Sequence, residues 1–218
     1  MVTTGPARVV TISATYGAGG TVVAPAVADR LHVPYLEHLV SPRVARQASA
    51  THPGRDEPGR GEGVARRLLA TLAALPSVFG TGLPLPMDGV TDEEQVRTEI
   101  EASIRTVAET SGGVLLGRGA TMVLADTPGV FHVRLDGPPE RRVRQSMTLA
   151  GVDVTEARRR QHETDRARAA YLRRFYDTDG NDPRLYHLII DSTELTLATC
   201  ADLIVTAATT FWAGAAAT

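Results

Sequence analysis

Three glycines gather where the first apolar stretch of the chain ends. Gly17, Gly19 and Gly20 follow Val9-Val10-Thr11-Ile12-Ser13-Ala14-Thr15-Tyr16, with Ala18 between them and Thr21 after them. A glycine-rich turn from a strand into a helix lets backbone N–H groups converge on phosphate oxygens, with the positive end of the helix behind them. Residues 17–21 are therefore the candidate phosphate cradle. The full signature for that chemistry, G-x-x-x-x-G-K-[ST], is not met. With Gly19 as its final glycine, the lysine position is Gly20 and the first glycine position is Ala14. The magnesium-holding hydroxyl then falls on Thr21 or is lost at Val22. No lysine occurs anywhere, since all 23 Lys+Arg residues are arginine. The plain alternative is a glycine turn that only connects strand to helix.

Arginine is what the rest of the chain offers to an anion. Arg118 directly follows Gly113-Val114-Leu115-Leu116-Gly117, a short apolar run suited to a buried parallel strand. Ligands of open α/β sheets lie at the carboxyl ends of strands, so Arg118 should point into the crevice; an ion pair that ties down its loop is the other reading. Seven arginines crowd one later stretch: Arg158, Arg159, Arg160, Arg166, Arg168, Arg173 and Arg174. A guanidinium keeps its charge and makes paired bonds to phosphate oxygens. On one helix Arg166 and Arg173 share a face, whereas Arg168 lies about 160° from Arg166. The set cannot grip one ligand unless the helix breaks. Arg158, Arg159 and Arg160 read as a solvated face paired with Glu156, Glu163 and Asp165. Arg141, Arg142 and Arg144, which follow Pro138-Pro139-Glu140, read as surface residues, and His162 as an exposed one. No group of His, Cys, Asp and Glu has metal-ligand spacing, and no G-x-S-x-G elbow is present.

The elements that must position these residues follow from periodicity. Strands are expected at 8–13, 113–117, 130–135 and 186–190, with a short extended piece at 32–36. Helices are expected at 22–31, where Pro25 must lie in the first turn, and at 41–50, 64–75, 91–109, 138–149, 155–176 and 195–207. Thr91 and Glu94 form a capping box, and Val96, Ile100, Ile104 and Val107 recur at helical spacing behind it. Residues 51–63 have loop composition, 76–89 form a Gly/Pro-rich connection, and the tail after Trp212 should fray. Short buried strands separated by helices predict an α/β fold, a central parallel sheet with helices on both faces.

At 218 residues and 43% hydrophobic, the chain suits one domain with an insertion. Its net charge of −2 argues against a nucleic-acid partner. Cys200 alone excludes a disulfide framework and fits a reducing compartment. No apolar run reaches bilayer-spanning length and the N-terminus lacks a signal pattern, so no membrane partner and a cytoplasmic location are expected.

Five short motifs, in order, carry a resemblance. Ile12 to Thr21 is similar to I-S-R-x-Y-G-S-G-G-R, and Val33-Pro34-Tyr35-Leu36-Glu37-His38 to a short strand ending in Asp-Arg. Leu115 to Ala120 contains G-R-G-A, and Thr164 to Tyr171 reads T-D-x-x-R-A-x-Y. Asp182-Pro183 through Tyr186 to Asp191 is similar to D-P-x-x-Y-D-L-x-I. These resemble motifs of the cytidylate kinase-like family, a nucleoside monophosphate kinase branch of the P-loop kinases.

The resemblance implies one P-loop kinase-like domain over 1–218, a three-layer fold with a helical insertion at about 41–110 and an arginine-rich helical lid at about 153–180. It implies ATP and Mg2+ as cofactors, and γ-phosphoryl transfer to a nucleoside monophosphate (CMP-like) or another small acceptor. Gly17, Ala18, Gly19, Gly20 and Thr21 would cradle the donor phosphates, and Arg118 would bind the acceptor's phosphate. Arg166 and Arg168 would stabilise the transferred charge, and Glu37 and Asp165 would contact substrate. Thr21 or Asp191 would be indirect partners of magnesium. The departures are cationic: the family's loop arginine is Ala14 here, the arginine after its double glycine is Thr21, and its Asp-Arg pair is Glu37-His38. Those losses support an alternative, a catalytically impaired nucleotide-sensing or partner-binding protein that keeps the fold. Nothing between Ser41 and Thr110 forms a base-reading motif, so the acceptor need not be CMP. Leu68, Leu69, Leu72 and Leu75 either pack internally or form a dimer interface; Leu83, Leu85 and Met87 also need cover and favour a homodimer.

Overall fold

The computed structural model describes residues 8–36 and 93–215. Strand β1 (Val9–Ala14) alternates its side chains between two apolar layers and is buried along nearly its whole length. Around it assemble β2 (Tyr35–Leu36), β3 (Gly113–Leu116), β4 (Val130–Asp136) and β5 (Leu188–Asp191), all parallel, in the order β2-β3-β1-β4-β5. The register sets Val9 beside Gly113 on one side and Val130 on the other. Ala14 pairs with Leu135, so the carboxyl ends of β1 and β4 finish level. β1 is central and its end is flanked by its neighbours' ends, where an α/β sheet presents its ligands.

Helices cover both faces. Helix α1 (Gly20–Leu31) and helix α6 (Leu197–Ala215) pack on the face carrying Val10, Ile12, Val133 and Leu135. Helix α2 (Glu93–Glu109) and the single turn α3 (Ala120–Val123) cover the face carrying Val9, Leu115 and Val130. Ile104 is fully buried there, with Ile100 and Val107 packed beside it, as their helical spacing predicts. Helix α4 (Pro139–Ala150) and helix α5 (Val154–Tyr176) lie against one another beyond β4. The result is the three-layer, P-loop kinase-like α/β architecture.

Local differences from the sequence reading have physical causes. Helix α1 starts at Gly20, because Gly19 takes a left-handed φ of 76° and its carbonyl accepts from the N–H groups of Val22 and Val23. Pro25 therefore lies past the first turn, where its ring removes one internal hydrogen bond. Helix α6 runs on to Ala215 because Phe211 and Trp212 pack on the core and the Trp212 indole donates to the Gly129 carbonyl at 2.7 Å. At 19 residues and mean hydropathy 1.3 it has the length and composition of a membrane span, contrary to the sequence expectation. In the fold its stripe of Cys200, Ala201, Ile204 and Ala208 is buried against the sheet and α1. The sequence-predicted helices at 41–50 and 64–75, the capping box, the connections 51–63 and 76–89, and the leucines proposed for a dimer lie outside the described residues.

Candidate functional site

The glycine loop leaves β1 with every outward-facing carbonyl held. The Thr15 N–H donates to Leu135 O, and its hydroxyl donates to Asp136 Oδ1 at 2.8 Å. Arg142 Nη1 donates to Tyr16 O (2.8 Å), Gln145 Nε2 to Gly17 O (3.0 Å) and Ser192 Oγ to Ala18 O (2.7 Å). Gly17 has φ 79°, a left-handed conformation, and a Cβ there would overlap the Arg142 backbone. Two of the loop's N–H groups are also engaged, that of Tyr16 by Asp165 and that of Ala18 by the Thr15 carbonyl at 3.1 Å. Those of Gly20 and Thr21 precede the first helical bond, from Val23 to Gly19.

Over the loop lies a cleft of about 130 Å³, walled by Gly17, Gly19, Gly20, Thr21, Leu149 and Arg160 among others. Four of the five loop residues predicted to cradle phosphate thus share one opening; Ala18 does not, being fully buried with its N–H donated to Thr15 O at 3.1 Å. Gly20, the lysine position, is closed to any larger residue: a Cβ would stand 2.6 Å from Ala14 Cβ and 3.1 Å from Leu116 Cδ1. The missing lysine and the missing loop arginine are in contact with each other as glycine and alanine.

Asp165 joins the loop to α5. Its carboxylate accepts from the Tyr16 N–H (3.0 Å) and from Arg142 Nη1 (2.7 Å), and Arg168 lies 3.9 Å away. It does not pair with Arg159 or Arg160; Arg159 instead binds Glu156 and Glu163, and Arg160 binds Glu156. Arg142 is buried, 6% exposed, and also donates through Nε to Gly137 O. The surface reading of Arg142 is therefore wrong. The signal that could have found it is the one that picked Arg118: an arginine just beyond the carboxyl end of a buried strand. Arg160 likewise leaves the solvated face and walls the cleft.

A second, smaller pocket opens beyond the end of β3. Arg118 and Arg168 both line it, with Ser13, Thr121 and Tyr186. Arg118 holds a left-handed φ of 56°, uncommon for a side-chain-bearing residue, between two left-handed glycines. Burial lowers the Arg168 pKa to about 10 against the opposing pull of Asp165, so the group stays cationic at neutral pH. Arg166, two residues away, is exposed and lines neither opening. The unbroken helix α5 separates the two arginines, as the 160° argument requires.

Behind Thr121 runs a buried polar chain. Thr121 Oγ1 lies 3.1 Å from Thr11 Oγ1, which lies 2.7 Å from His132 Nδ1. Burial first, and then His187 stacked on it at 5.2 Å, lower the His132 pKa to about 4. Nothing in the sequence pattern marks this group.

The carboxylates nearest the loop are engaged. Asp136 binds Arg134, Thr15 and the Gly137 N–H; burial raises its pKa, but these bonds outweigh it and hold the group below the usual range. Asp191 accepts from the Thr193 N–H and hydroxyl, which lower its pKa, and pairs with Arg141 at 3.2 Å. Among the described residues no three His, Cys, Asp or Glu side chains gather to hold a metal. A magnesium ion here would take its ligands mainly from phosphates and water, a mode that suits this cation. Thr21, in the wall of the cleft, offers the protein hydroxyl. Glu37 lies outside the described residues.

Comparison with known proteins gives this geometry a context. The sequence model of the cytidylate kinase-like family matches residues 9–194. A cytidylate kinase from Methanopyrus kandleri is 31% identical over 111 residues, 46% of this chain and 56% of that protein. A uronate isomerase from Corynebacterium glutamicum is 29% identical over 98 residues, 45% of this chain and 19% of that protein. The chain thus spans only about a fifth and just over half of these two curated relatives. A crystal structure of an uncharacterized protein from Eubacterium ventriosum superposes with a TM-score of 0.61 at 18% identity, covering 91% of this chain and 96% of that one. That likeness speaks to the fold.

Proposed function

Because the chain belongs to the cytidylate kinase-like family, we propose that it is a nucleotide kinase that moves the γ-phosphoryl group of ATP to a nucleoside monophosphate, CMP-like, or to another small acceptor. The observation that carries this reading is the placement of two anion-ready openings at the carboxyl end of the sheet. One is the glycine-loop cleft, lined by Ala14 of β1, and the other the Arg118–Arg168 pocket, lined by the adjacent Ser13.

The donor phosphates would lie over the N–H groups of Gly17, Gly19, Gly20 and Thr21, and the acceptor phosphate between Arg118 and Arg168. An acceptor oxygen forms the new P–O bond as the bond from the γ-phosphorus to the β,γ-bridging oxygen breaks, and ADP leaves. Such transfer depends on alignment and on stabilising charge, and these side chains supply both. Magnesium arriving with ATP would neutralise phosphate charge, with Thr21 the hydroxyl in reach. Arg166, being exposed, would enter only by a movement of the lid that spans α5, and Asp165 would act by holding the loop to that helix. The reaction is a cytoplasmic one in this reading.

Phosphoryl transfer from radiolabelled ATP with magnesium, across CMP, dCMP, UMP, AMP and GMP, tests the proposal. Acceptor-dependent label transfer that disappears in Arg118→Ala is expected. Nucleotide binding without transfer to any acceptor would favour the second reading, a nucleotide sensor on a kinase fold. The contact of Gly20 with Ala14 is what supports that second reading, because it leaves the donor site without its usual cation.

A further inference from the structure

Among the described residues, the cleft over the glycine loop has one charged side chain in its wall, Arg160; the other described lining residues are apolar or neutral. We infer that Arg160 is the cation that meets the donor phosphates in place of the absent loop lysine, an inference that rests on the nucleotide-kinase reading above. The residue sits two turns into α5, about one-third exposed, and lines the cleft together with Tyr16 of the loop. Among the described residues no carboxylate lines the cleft.

The way Arg160 is held makes it transferable. Its Nε donates to Glu156 Oε1 at 2.6 Å. Arg159 grips the same carboxylate as a fork, Nε to Oε2 at 2.8 Å and Nη2 to Oε1 at 2.7 Å. Both Glu156 oxygens therefore keep a partner when Arg160 leaves, and no bare carboxylate remains. A polyanionic phosphate offers more charge and more acceptor oxygens than a carboxylate already shared by two arginines. The other arginines of α5 are placed differently: Arg168 lines the second pocket beside Arg118, and Arg158 is exposed. Arg160 is the member of the helix whose geometry fits the donor side.

The test is isothermal titration of the full chain and of R160Q, R160K, E156Q and R158Q with MgATP, with melting temperatures measured in parallel. R160Q should weaken MgATP about 10- to 100-fold, the worth of a charge-assisted bond. R160K should recover part of that loss, and R158Q should bind as the parent chain does. E156Q should bind MgATP at least as tightly as the parent, because it frees Arg160. A merely structural Arg160–Glu156 pair would make E156Q and R160Q lose affinity together, and that result overturns the inference. So does equal MgATP affinity in R160Q and a parent chain that binds. A parent chain that binds no MgATP fails the kinase reading itself, and Arg160 falls with it. Should R160Q not fold, R160K and E156Q decide.

Discussion

At the scale of single residues, the site is built by substitutions that compensate one another. Gly20 stands at the lysine position of the general phosphate-loop signature and Ala14 at the loop arginine of this family, and here their small size lets the strand end and the helix start touch. Restoring the textual motif by Gly20→Lys should therefore fail. Overpacking of this kind costs about 1–3 kcal/mol, and a lower melting temperature with no rise in phosphoryl transfer is expected. His132 gives a pH signature. Its folded pKa is about 4 against an ordinary 6.5, so protonation favours the unfolded chain. The stability it contributes is complete above pH 6.5 and is lost as pH falls toward 4. The 2.5-unit gap corresponds to about 3 kcal/mol. Urea unfolding at pH 7, 6 and 5 should show this loss, and His132→Gln should flatten it.

At the scale of elements, the tie between the loop and α5 decides how far that helix can move. Asp165 draws together the Tyr16 N–H, Arg142 and Arg168. Its side chain is about one-quarter exposed while that of Arg142 is nearly covered, so an uncompensated Arg142 is the main cost of losing it. Asp165→Asn should destabilise by about 2–3 kcal/mol, less than a fully buried pair would. It should also raise amide exchange in residues 15–19 more than in β3, which hydrogen-exchange mass spectrometry would resolve. How much of this was legible in the sequence depends on what each residue's neighbours are. Strands β1, β3 and β4 announce themselves because they are buried on both faces and read as continuous apolar runs. Arg142 and Arg160 do not, because an arginine beside proline or glutamate looks the same whether it faces water or a loop 126 or more residues away in sequence. Pro25 misleads for a related reason. Propensity places it in a first turn, but Gly19 starts the helix earlier than any side-chain pattern shows. The pairing of Arg118 with Arg168 in one pocket, and the exclusion of Arg166, are set by tertiary docking of a helix whose internal spacing alone was readable.

At the scale of the whole molecule, α1 and α6 cover one face while α2 and α3 cover the other, and β1 runs between them. The end of β1 thus lies at the middle of the sheet. The tail of α6 is fastened far from it, by Trp212 to Gly129 at the amino end of β4. Trp212→Phe, which keeps the ring but loses the indole bond, should lower stability by about 1 kcal/mol. It should leave MgATP affinity unchanged, a separation that thermal melts and titration of the same sample would show.

The three outward carbonyls of the glycine loop belong to consecutive residues, Tyr16, Gly17 and Ala18, yet their partners come from α4 and from the segment after β5. Two of the peptide planes are held by α4 and the third by Ser192. The dipoles that would meet an incoming anion are consequently oriented when the protein folds, not when the ligand arrives. A loop so prepared does not have to choose its shape at the moment of encounter, so little reorganisation separates collision from capture.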